Sequence, residues 1–474
     1  MRGSVSPRHR RRGGPQAAVL FACLLLHACS GLPRRPPPPG DYSTAVPPGF
    51  PASIRWFGET EAGFYPRARR LLGNARVAAH GGRVNVLVLS GGGAGGAFGA
   101  GALVGWSRLH TRPSFQVVTG VSAGGLIAPF AFLGPAWDPQ LTEAFSLKGA
   151  SDLQELHEHF LHLLFGVSYF RAQPLADLVN RYVTPGMVAA IARQAAKGNV
   201  LVVATTDLDT EQTVFWNIGQ IAEIGGRAAL RLIRQVLLAS ASVPGFFPPV
   251  MISVVKSHHL YSEMHVDGAT GEPLFFIPDL AAILPGSLSP LVGGQIFVMV
   301  NGPLHEGGGE TQLRAMAILR HTIGVALQSG TRAAVETVYS FAVAHRMRIV
   351  MTSLPGRYPF DGPLDFNRKK MQSLFAYGER CALAGKLWLD PIDALERAAV
   401  GGGSAPEADA HDIEDMQRCP AADRSAGGSL ADGSGASEHG KTVAKREPGG
   451  GGEKKAKAPT LSSKRSHSGS RRQL

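Results

Sequence analysis

Short apolar runs alternate along the chain with longer stretches whose apolar residues repeat at helical spacing. Val84 to Leu89 form a nearly all-apolar run, which is typical of a strand buried in a parallel sheet. Glycines follow, and Ala97 to Leu109 then has the apolar spacing of a helix. The same order recurs with a strand at Phe115 to Thr119 and a helix at Gly124 to Leu133. This alternation predicts an α/β layered fold around a mainly parallel sheet.

Runs of both kinds continue towards the C-terminus. Strands are predicted at Asn199 to Thr206, Gln295 to Val300 and Arg346 to Thr352, and helical stretches at Gly226 to Ala239, Gln312 to Ala344 and Phe366 to Leu389. From Gly401 onwards, apolar residues are too sparse to offset the entropy of ordering the chain. We therefore expect a folded body at residues 53–400 and a disordered, low-complexity tail at residues 401–474, first acidic and then basic.

The N-terminus has the pattern of an export signal. Five arginines and no acidic residue accompany an apolar run, Gln16 to Leu26, that is too short to span a bilayer. The four residues from Leu26 to Cys29 resemble the lipobox of bacterial lipoproteins. We predict a lipoprotein-type signal peptide at residues 1–28 and lipidation of Cys29, with an ordinary secretory signal or an uncleaved anchor as alternatives. The expected location is the cell envelope, as a membrane-anchored lipoprotein or as a periplasmic or secreted protein.

Residues 29–52 are rich in proline and are predicted to form an extended linker. Such a semi-rigid spacer would hold the body away from a membrane. The chain has four cysteines, Cys23, Cys29, Cys381 and Cys419. Cleavage would remove Cys23, and Cys419 lies in the polar tail. The cysteine pattern therefore predicts neither a disulfide framework nor a metal site.

The formal net charge of +12 first suggests a nucleic-acid partner, but its distribution argues otherwise. The arginines of residues 1–28 carry much of the excess, so the folded body is only mildly basic. The body also has no basic stripe with interleaved aromatic residues. We therefore expect no nucleic-acid partner.

A motif of nucleophilic catalysis lies between the second predicted strand and its helix. Gly120-Val121-Ser122-Ala123-Gly124 fits the pattern G-x-S-x-G, in which a sharp strand-to-helix turn exposes a serine hydroxyl at the edge of a sheet. The N-terminus of the helix adds partial positive charge, which favours an oxyanion nearby. Ser122 is therefore the candidate nucleophile.

A glycine-rich segment occupies the turn after the first predicted strand. Gly91, Gly92, Gly93, Ala94, Gly95 and Gly96 offer consecutive backbone N–H groups that can converge on one anionic oxygen, as an oxyanion hole requires. The segment also fits the dinucleotide-binding pattern G-x-G-x-x-G, but no Asp or Glu between Glu61 and Asp138 is present to bind a ribose. A phosphate-binding P-loop fails as well, because no Gly-Lys-Ser/Thr follows.

A serine nucleophile also needs a base. A conventional α/β-hydrolase places an acid and then a histidine after the serine. The downstream histidines considered are His157, His159, His162, His258, His259, His265, His305, His321 and His345. None stands in a recognisable strand-end setting. Asp267 is the better candidate, because a strand-like stretch delivers it to a turn at Gly268 and Ala269. Taken alone, however, this residue is better explained as a turn Asp that bonds its own backbone.

Together these residues resemble the patatin-like phospholipase family. Its members share a glycine-rich segment, G-x-S-x-G one strand later, and then D-G-[AG], here at Gly91 to Gly96, Gly120 to Gly124 and Asp267 to Ala269. They also share an Ala/Ser run before proline and aromatic residues, here Ala239 to Pro249. The resemblance covers about Asn85 to Leu389 and implies a three-layer α/β/α fold.

The resemblance implies a Ser–Asp dyad that needs no metal or organic cofactor. Ser122 would attack an ester, Asp267 would take its proton, and the N–H groups of Gly92 to Ala94 would hold the oxyanion. The implied substrate is a lipid or another acyl ester, with a membrane surface as the expected partner; the sequence specifies no protein partner. Many members have Arg or Lys where this chain has Gly95, and this departure bears on the preference for phospholipid.

Two other functions stay open. A catalytically silent, acyl-binding envelope lipoprotein would retain the same pocket, and a conventional Ser–Asp–His carboxylesterase would retain Ser122.

A metal site is not predicted, because His157, His159 and His162 lack the spacing of H-E-x-x-H and are expected on the solvent side of a helix. Asp207 and Asp209 are interpreted as solvated loop carboxylates rather than as part of the cleft.

Overall fold

The computed structural model describes residues 34–38, 40, 42–58, 64–80, 82–147, 173–276, 291–305, 311–400 and 419–420. The signal peptide, Cys29, the histidines at 157–162 and nearly all of the tail lie outside these ranges, so the hypotheses about them stay predictions. Within these ranges, a mainly parallel central sheet lies between two layers of helices. The predicted α/β/α fold is confirmed.

One sheet unites the strands of the described residues. They are β1 (Arg55–Phe57), β2 (Asn85–Leu89), β3 (Val117–Val121), β4 (Val200–Asp207), β5 (Gln212–Asn217), β6 (Val250–Lys256), β7 (His259–Asp267), β8 (Gln295–Pro303) and β9 (Arg348–Leu354). The order β4-β3-β2-β8-β9 forms a parallel centre. Antiparallel β5 and β1 extend it beyond β4, and the antiparallel hairpin β6–β7 attaches to the last residues of β4.

Helices cover both faces of this sheet. They are α1 (Phe64–Ala78), α2 (Gly96–Arg108), α3 (Ala123–Leu133), α4 (Asp138–Thr142), α5 (Gln173–Tyr182), α6 (Pro185–Ala195), α7 (Ile218–Ile224), α8 (Gly226–Ser240), α9 (Ala315–Ala344), α10 (Arg368–Leu383) and α11 (Pro391–Val400). Among them, none combines the length and the apolar character that crossing a membrane requires.

Alternate residues of β2 enter two different cores. Leu87 and Leu89 pack with the layer that contains α2, α3 and α8, whereas Val86 and Val88 pack with the layer that contains α1 and α9. A strand buried on both faces has no polar side, which is why this strand appears in the sequence as an uninterrupted apolar run.

The antiparallel strands are the part of the sheet that the apolar runs did not predict. Strand β6 alternates buried and exposed positions, and β5 begins with exposed residues. Neither strand is therefore an all-apolar run. Some helices and strands also begin or end at residues other than those predicted from the sequence. Strand β3 extends to Val121, and α10 ends at Leu383 because Gly385, with a φ of 67°, terminates it in a left-handed conformation.

The described part of the proline-rich segment lies on the folded body rather than extending from it. The N–H of Ser262 donates to the carbonyl of Arg35 over 2.8 Å, and Val46 forms an antiparallel bridge with Val255. Arg34 forms an ion pair with Asp209 at the end of β4. These contacts fasten the segment to the hairpin β6–β7.

A disulfide joins Cys381 of α10 to Cys419, with 5.3 Å between their Cα atoms. The cysteine pattern, which predicted no disulfide framework, did not reveal this bond. Both side chains are buried, although Cys419 lies in a segment whose composition is polar. Spacing alone could not show this pairing, because the 38-residue separation fits no local cysteine motif.

Candidate active site

Ser122 stands at the turn between β3 and α3, where its backbone has φ 54° and ψ −126°. A non-glycine residue in this region is strained by about 1–3 kcal/mol, and such strain is typical of a nucleophile elbow. Gly124 permits the tight turn, because a Cβ there would lie 2.5 Å from the carbonyl oxygens of Leu89 and Ser90. Gly120 packs equally closely against the backbone of Gly124. The turn predicted from the motif is present.

The hydroxyl of Ser122 donates a 2.6 Å hydrogen bond to Oδ2 of Asp267. Both side chains are buried. The backbone N–H of Ser122 donates to the Oγ of Ser240 over 3.0 Å, so the end of α8 holds the turn from its other side. The two residues singled out as nucleophile and base are thus in direct contact.

The path of β4 explains why Asp267 reaches Ser122. Strand β3 pairs with β4 up to the pair Val121–Ala204, and β7 takes over at the next position with the pair Thr205–Asp267. The ends of β3 and β7 therefore meet beside β4, and the residues at those ends face each other.

Further contacts hold Asp267 and the residue after it in place. Its Oδ1 accepts a hydrogen bond from the N–H of Ala269 over 2.8 Å, and its own N–H donates to the carbonyl of Ser242 over 2.9 Å. Gly268 packs against the carbonyl of Ala204, where a side chain would clash. The Ala/Ser run therefore contacts both candidate residues, through Ser240 and through Ser242.

Burial raises the pKa of Asp267 from the ordinary 3.8 to about 7, because the charged form is desolvated. The hydrogen bonds from Ser122 and from the N–H of Ala269 oppose this shift without cancelling it. A carboxylate with a pKa near neutral pH suits proton transfer in both directions, so Asp267 has the acidity of a general base.

The glycine-rich segment lies against the nucleophile. A Cβ at Gly91 would be 3.3 Å from the Cβ of Ser122. Several backbone donors of the segment are occupied: the N–H of Gly91 bonds to Pro273, that of Ala94 to Pro363 and that of Gly95 to Gly92. The N–H of Gly96 bonds to Gly93 and Ala94.

Within the described part of the chain, the N–H groups of Gly92 and Gly93 bond to no acceptor. The predicted donor set of Gly92 to Ala94 is therefore reduced to Gly92 and Gly93, since Ala94 already donates to Pro363 over 2.8 Å.

Asn301, on β8, shapes this segment and was not predicted. It is fully buried, its Nδ2 donates to the carbonyl of Ser90 over 2.7 Å, and its N–H donates to the Oγ of Ser90 over 2.9 Å. Its carbonyl lies 2.0 Å from where a Cβ of Gly92 would be, and Gly92 has a φ of 152° that disfavours any side chain. The sequence signal that could have identified Asn301 is its position, as a polar residue directly after the apolar run that ends at Val300.

The position of Asn301 also explains why residue 95 is a glycine. A Cβ at this position would lie 2.1 Å from the carbonyl of Asn301. The Arg or Lys that many patatin-like proteins have here would therefore not fit without displacing β8.

The histidines do not join the site in the part of the chain that the structure describes, since none bonds to Ser122 or Asp267. His265 is buried on β7 but contacts Thr205 and Glu263 instead. His258, His259 and His321 are exposed, and His305 and His345 are half-buried. His157, His159 and His162 lie outside the described residues.

Asp207 and Asp209 are not solvated loop carboxylates, contrary to the interpretation from sequence. Asp207 is fully buried beside Glu263 and His265, and Asp209 pairs with Arg34. The ligand atoms of Asp207, Glu263 and His265 lie within 4.8 Å of one another, the spacing of a metal site. Two hydrogen bonds from Arg55 to Glu263 already supply a cation to this cluster, so its residues fit a metal ion poorly.

One family model matches the part of the chain that carries the motifs. The model of the patatin-like phospholipase family matches residues 87–278. Among solved structures, the crystal structure of VipD from Legionella pneumophila aligns with 64% of this chain and 67% of its own, at 13% identity and a TM-score of 0.28. Human GIVD cytosolic phospholipase A2 aligns with 73% of this chain and 66% of its own, at 12% identity and a TM-score of 0.30. No protein with a curated description matches the chain significantly.

The raised pKa of Asp267 predicts a pH-dependent difference in stability between the wild type and Asp267→Asn. Below pH 3.8 the carboxyl is protonated in both states; between 3.8 and about 7 only the unfolded chain loses the proton. The free energy of unfolding of the wild type should therefore fall by about 4 kcal/mol relative to the variant across this range. Denaturant unfolding at several pH values measures the difference, and a constant difference would refute the shift.

Proposed function

Because residues 87–278 form a patatin-like phospholipase domain, we propose that this protein hydrolyses acyl esters of lipids with Ser122 as nucleophile and Asp267 as general base. The observation that carries the proposal is the 2.6 Å hydrogen bond from the Ser122 hydroxyl to the buried carboxylate of Asp267. It joins the strained residue of the strand-to-helix turn to a carboxylate whose pKa lies near neutral pH.

In the first half of the proposed reaction, the Oγ of Ser122 attacks the carbonyl carbon of the ester while Asp267 accepts the hydroxyl proton. The carbonyl oxygen becomes an oxyanion, which the N–H groups of Gly92 and Gly93 stabilise. The tetrahedral intermediate collapses, the C–O bond to the alcohol breaks, and Asp267 returns the proton to the leaving oxygen. An acyl group then remains on Ser122.

In the second half, a water molecule gives a proton to Asp267 and attacks the acyl carbon. Collapse of the second intermediate breaks the bond to Ser122, whose Oγ regains the proton from Asp267. The products are a free carboxylic acid and the resting site. Asp267 alternates between base and acid, which requires a pKa close to the working pH.

A Ser–Asp–His site is a weaker alternative. Two candidate histidines lie on the strand of Asp267. His259 is exposed, and His265 is engaged by Thr205 and Glu263. An acyl-binding protein without catalysis would need the pocket but not the contact between Ser122 and Asp267. The same labelling experiment separates all three functions.

We also propose that the protein is exported to the cell envelope and acts at a membrane surface. The disulfide between Cys381 and Cys419 supports export, because disulfides persist in oxidising compartments. The proposed lipidation of Cys29 would place the anchor only a few residues before Arg34, which is already fastened to the body. The body would then lie close to the membrane rather than at the end of a long spacer.

Labelling of the full chain with a fluorophosphonate, which modifies activated serines, tests the dyad. We expect modification at Ser122, none in Ser122→Ala, and labelling that is slower by about a hundredfold in Asp267→Asn, the typical contribution of a general base. Asp209→Asn is the matched control, since this carboxylate pairs with Arg34 away from Ser122, and it should label like the wild type.

The labelling result can overturn the proposal in two ways. If Ser122 stays unmodified in folded protein, the hydrolase proposal fails and acyl binding replaces it. If Asp267→Asn labels at the wild-type rate, the base lies elsewhere and a histidine must supply it.

Asn301→Ala tests the role of the glycine-rich segment. Loss of the hydrogen bond from Nδ2 to Ser90 should let Gly92 and Gly93 move, lowering kcat about tenfold with little change in KM, which corresponds to about 1.4 kcal/mol. Hydrolysis of a short-chain ester measures both constants. Asn199→Ala, a half-buried asparagine just before β4, is the control and should change neither. Equal kcat values for the two variants would contradict the assignment.

A further inference from the structure

A group of buried polar side chains lies beside Asp267 and takes no part in the proposed reaction. Successive side chains of a strand point to opposite faces, so Glu263 and His265 lie on the same face of β7 as Asp267. Hydrogen bonds continue from these two residues to β1, β4 and β5. Each side chain of the group is at most 3% exposed. We call the group the buried polar row: Arg55, Glu263, His265, Thr205 and Trp216.

The hydrogen bonds of the row have one consistent direction. Burial opposes the ionisation of Glu263, but the Arg55 guanidinium and the bond to His265 outweigh it and lower the pKa of this carboxyl. An ionised carboxylate only accepts, so Nε2 of His265 donates to Glu263 over 3.2 Å. Nε1 of Trp216 donates to Oγ1 of Thr205 over 2.8 Å. The hydroxyl proton of Thr205 is then left for Nδ1 of His265, which lies 3.0 Å from Oγ1.

Thr205 is also the residue opposite Asp267 in the sheet. The two are direct partners in the antiparallel pairing of β4 with β7, and Asp207, also buried, is the partner of His265. Side chains of direct partners lie on the same face, with Cβ atoms about 5 Å apart. Thr205 follows Ala204, the last residue of β4 that pairs with β3. Its hydroxyl is therefore bonded exactly where β4 changes partner.

The main-chain pairing of β7 with β4 is short, since it consists of three residue pairs. The buried polar row adds side-chain bonds to this pairing. Its far end is fixed by Arg55, which donates to Glu263 over 2.5 and 2.9 Å and to the carbonyl of Ala45 over 2.8 Å. A fully bonded buried network of this kind favours one arrangement of the strands that it joins.

We propose that Thr205 and His265 are positioning residues for Asp267. Their hydrogen bond keeps the end of β7 against β4, and it thereby holds the carboxylate beside Ser122 and away from water. In the part of the chain that the structure describes, neither side chain bonds to Ser122 or Asp267, so both act through the position of β7. This proposal rests on the proposed function, in which Asp267 is the base.

Three variants of the full chain test the proposal. Thr205→Val removes the hydroxyl and keeps the branched shape of the side chain, whereas Thr205→Ser keeps the hydroxyl. Thr352→Val is the matched control, because Thr352 is buried on β9 and its Oγ1 bonds to none of the described residues. The measurements are kcat and KM for a soluble short-chain ester across a range of pH, with circular dichroism to confirm folding.

Thr205→Val should lower kcat about tenfold with little change in KM, because the base is no longer held in line with the nucleophile. The acid-side fall of kcat/KM should also move to lower pH by about half a unit. The reason is that water reaching the carboxylate relieves the desolvation that raises the pKa of Asp267. A loss of stability alone would not move this profile. Thr205→Ser should restore both quantities, and Thr352→Val should change neither.

A folded Thr205→Val variant with the kcat and the pH profile of the wild type would overturn the proposal. So would a Thr205→Ser variant that is as impaired as Thr205→Val, since the hydroxyl would then not be the group that matters. If Thr205→Val does not fold, His265→Phe replaces it, because phenylalanine keeps a ring but offers the Thr205 hydroxyl no nitrogen. The same changes are expected, and a wild-type profile would again overturn the proposal.

Failure of the proposed function would give a different result, in which the wild type hydrolyses no ester. The position of Asp267 is then measured by unfolding at several pH values. The pH-dependent difference between Thr205→Val and Thr205→Val/Asp267→Asn should be smaller than that between the wild type and Asp267→Asn. Equal differences would show that Thr205 does not hold Asp267 in its buried position.

Discussion

The hydrogen bond between Ser122 and Asp267 depends on one feature of the sheet, the change of partner along β4. At Ala204 this strand still pairs with β3, and at Thr205 it pairs with β7. The two strand ends are therefore brought together at a buried position, and the residues there must satisfy each other's polar groups. Burial strengthens this hydrogen bond and also raises the pKa of Asp267. The packing of the site therefore also sets the proton affinity of this carboxylate.

The surrounding residues act mainly by holding this contact in place. Ser240 and Ser242, at the end of α8, bond to the backbones of Ser122 and Asp267 respectively. Asn301 does the same for the glycine-rich segment through Ser90. Each of the three elements that meet at the site is thus bonded to a side chain or carbonyl from a distant part of the chain. This is how a strained turn keeps a single conformation.

The sequence predicted the parts of the site that are formed by residues close together in the chain. It missed the parts that depend on how distant elements pack and pair. The turn at Ser122 and the glycine-rich segment follow from patterns a few residues long, and the parallel strands from apolar runs. Predicting the contact between Ser122 and Asp267 required the family resemblance. Strand β7 pairs with β4 as part of an antiparallel hairpin, and no apolar run in the sequence predicts that hairpin. Asn301 and the disulfide to Cys419 are contacts between residues far apart in sequence, which spacing cannot specify.

The pH dependence of kcat/KM for a soluble short-chain ester tests the dyad most directly, because a soluble substrate separates the chemistry from membrane binding. Asp267 must be deprotonated to accept the proton of Ser122, so the rate should fall below an apparent pKa of about 7 with the loss of one ionisation. A rate that stays constant down to the ordinary carboxyl value of 3.8 would contradict the assignment of this buried carboxylate as the base.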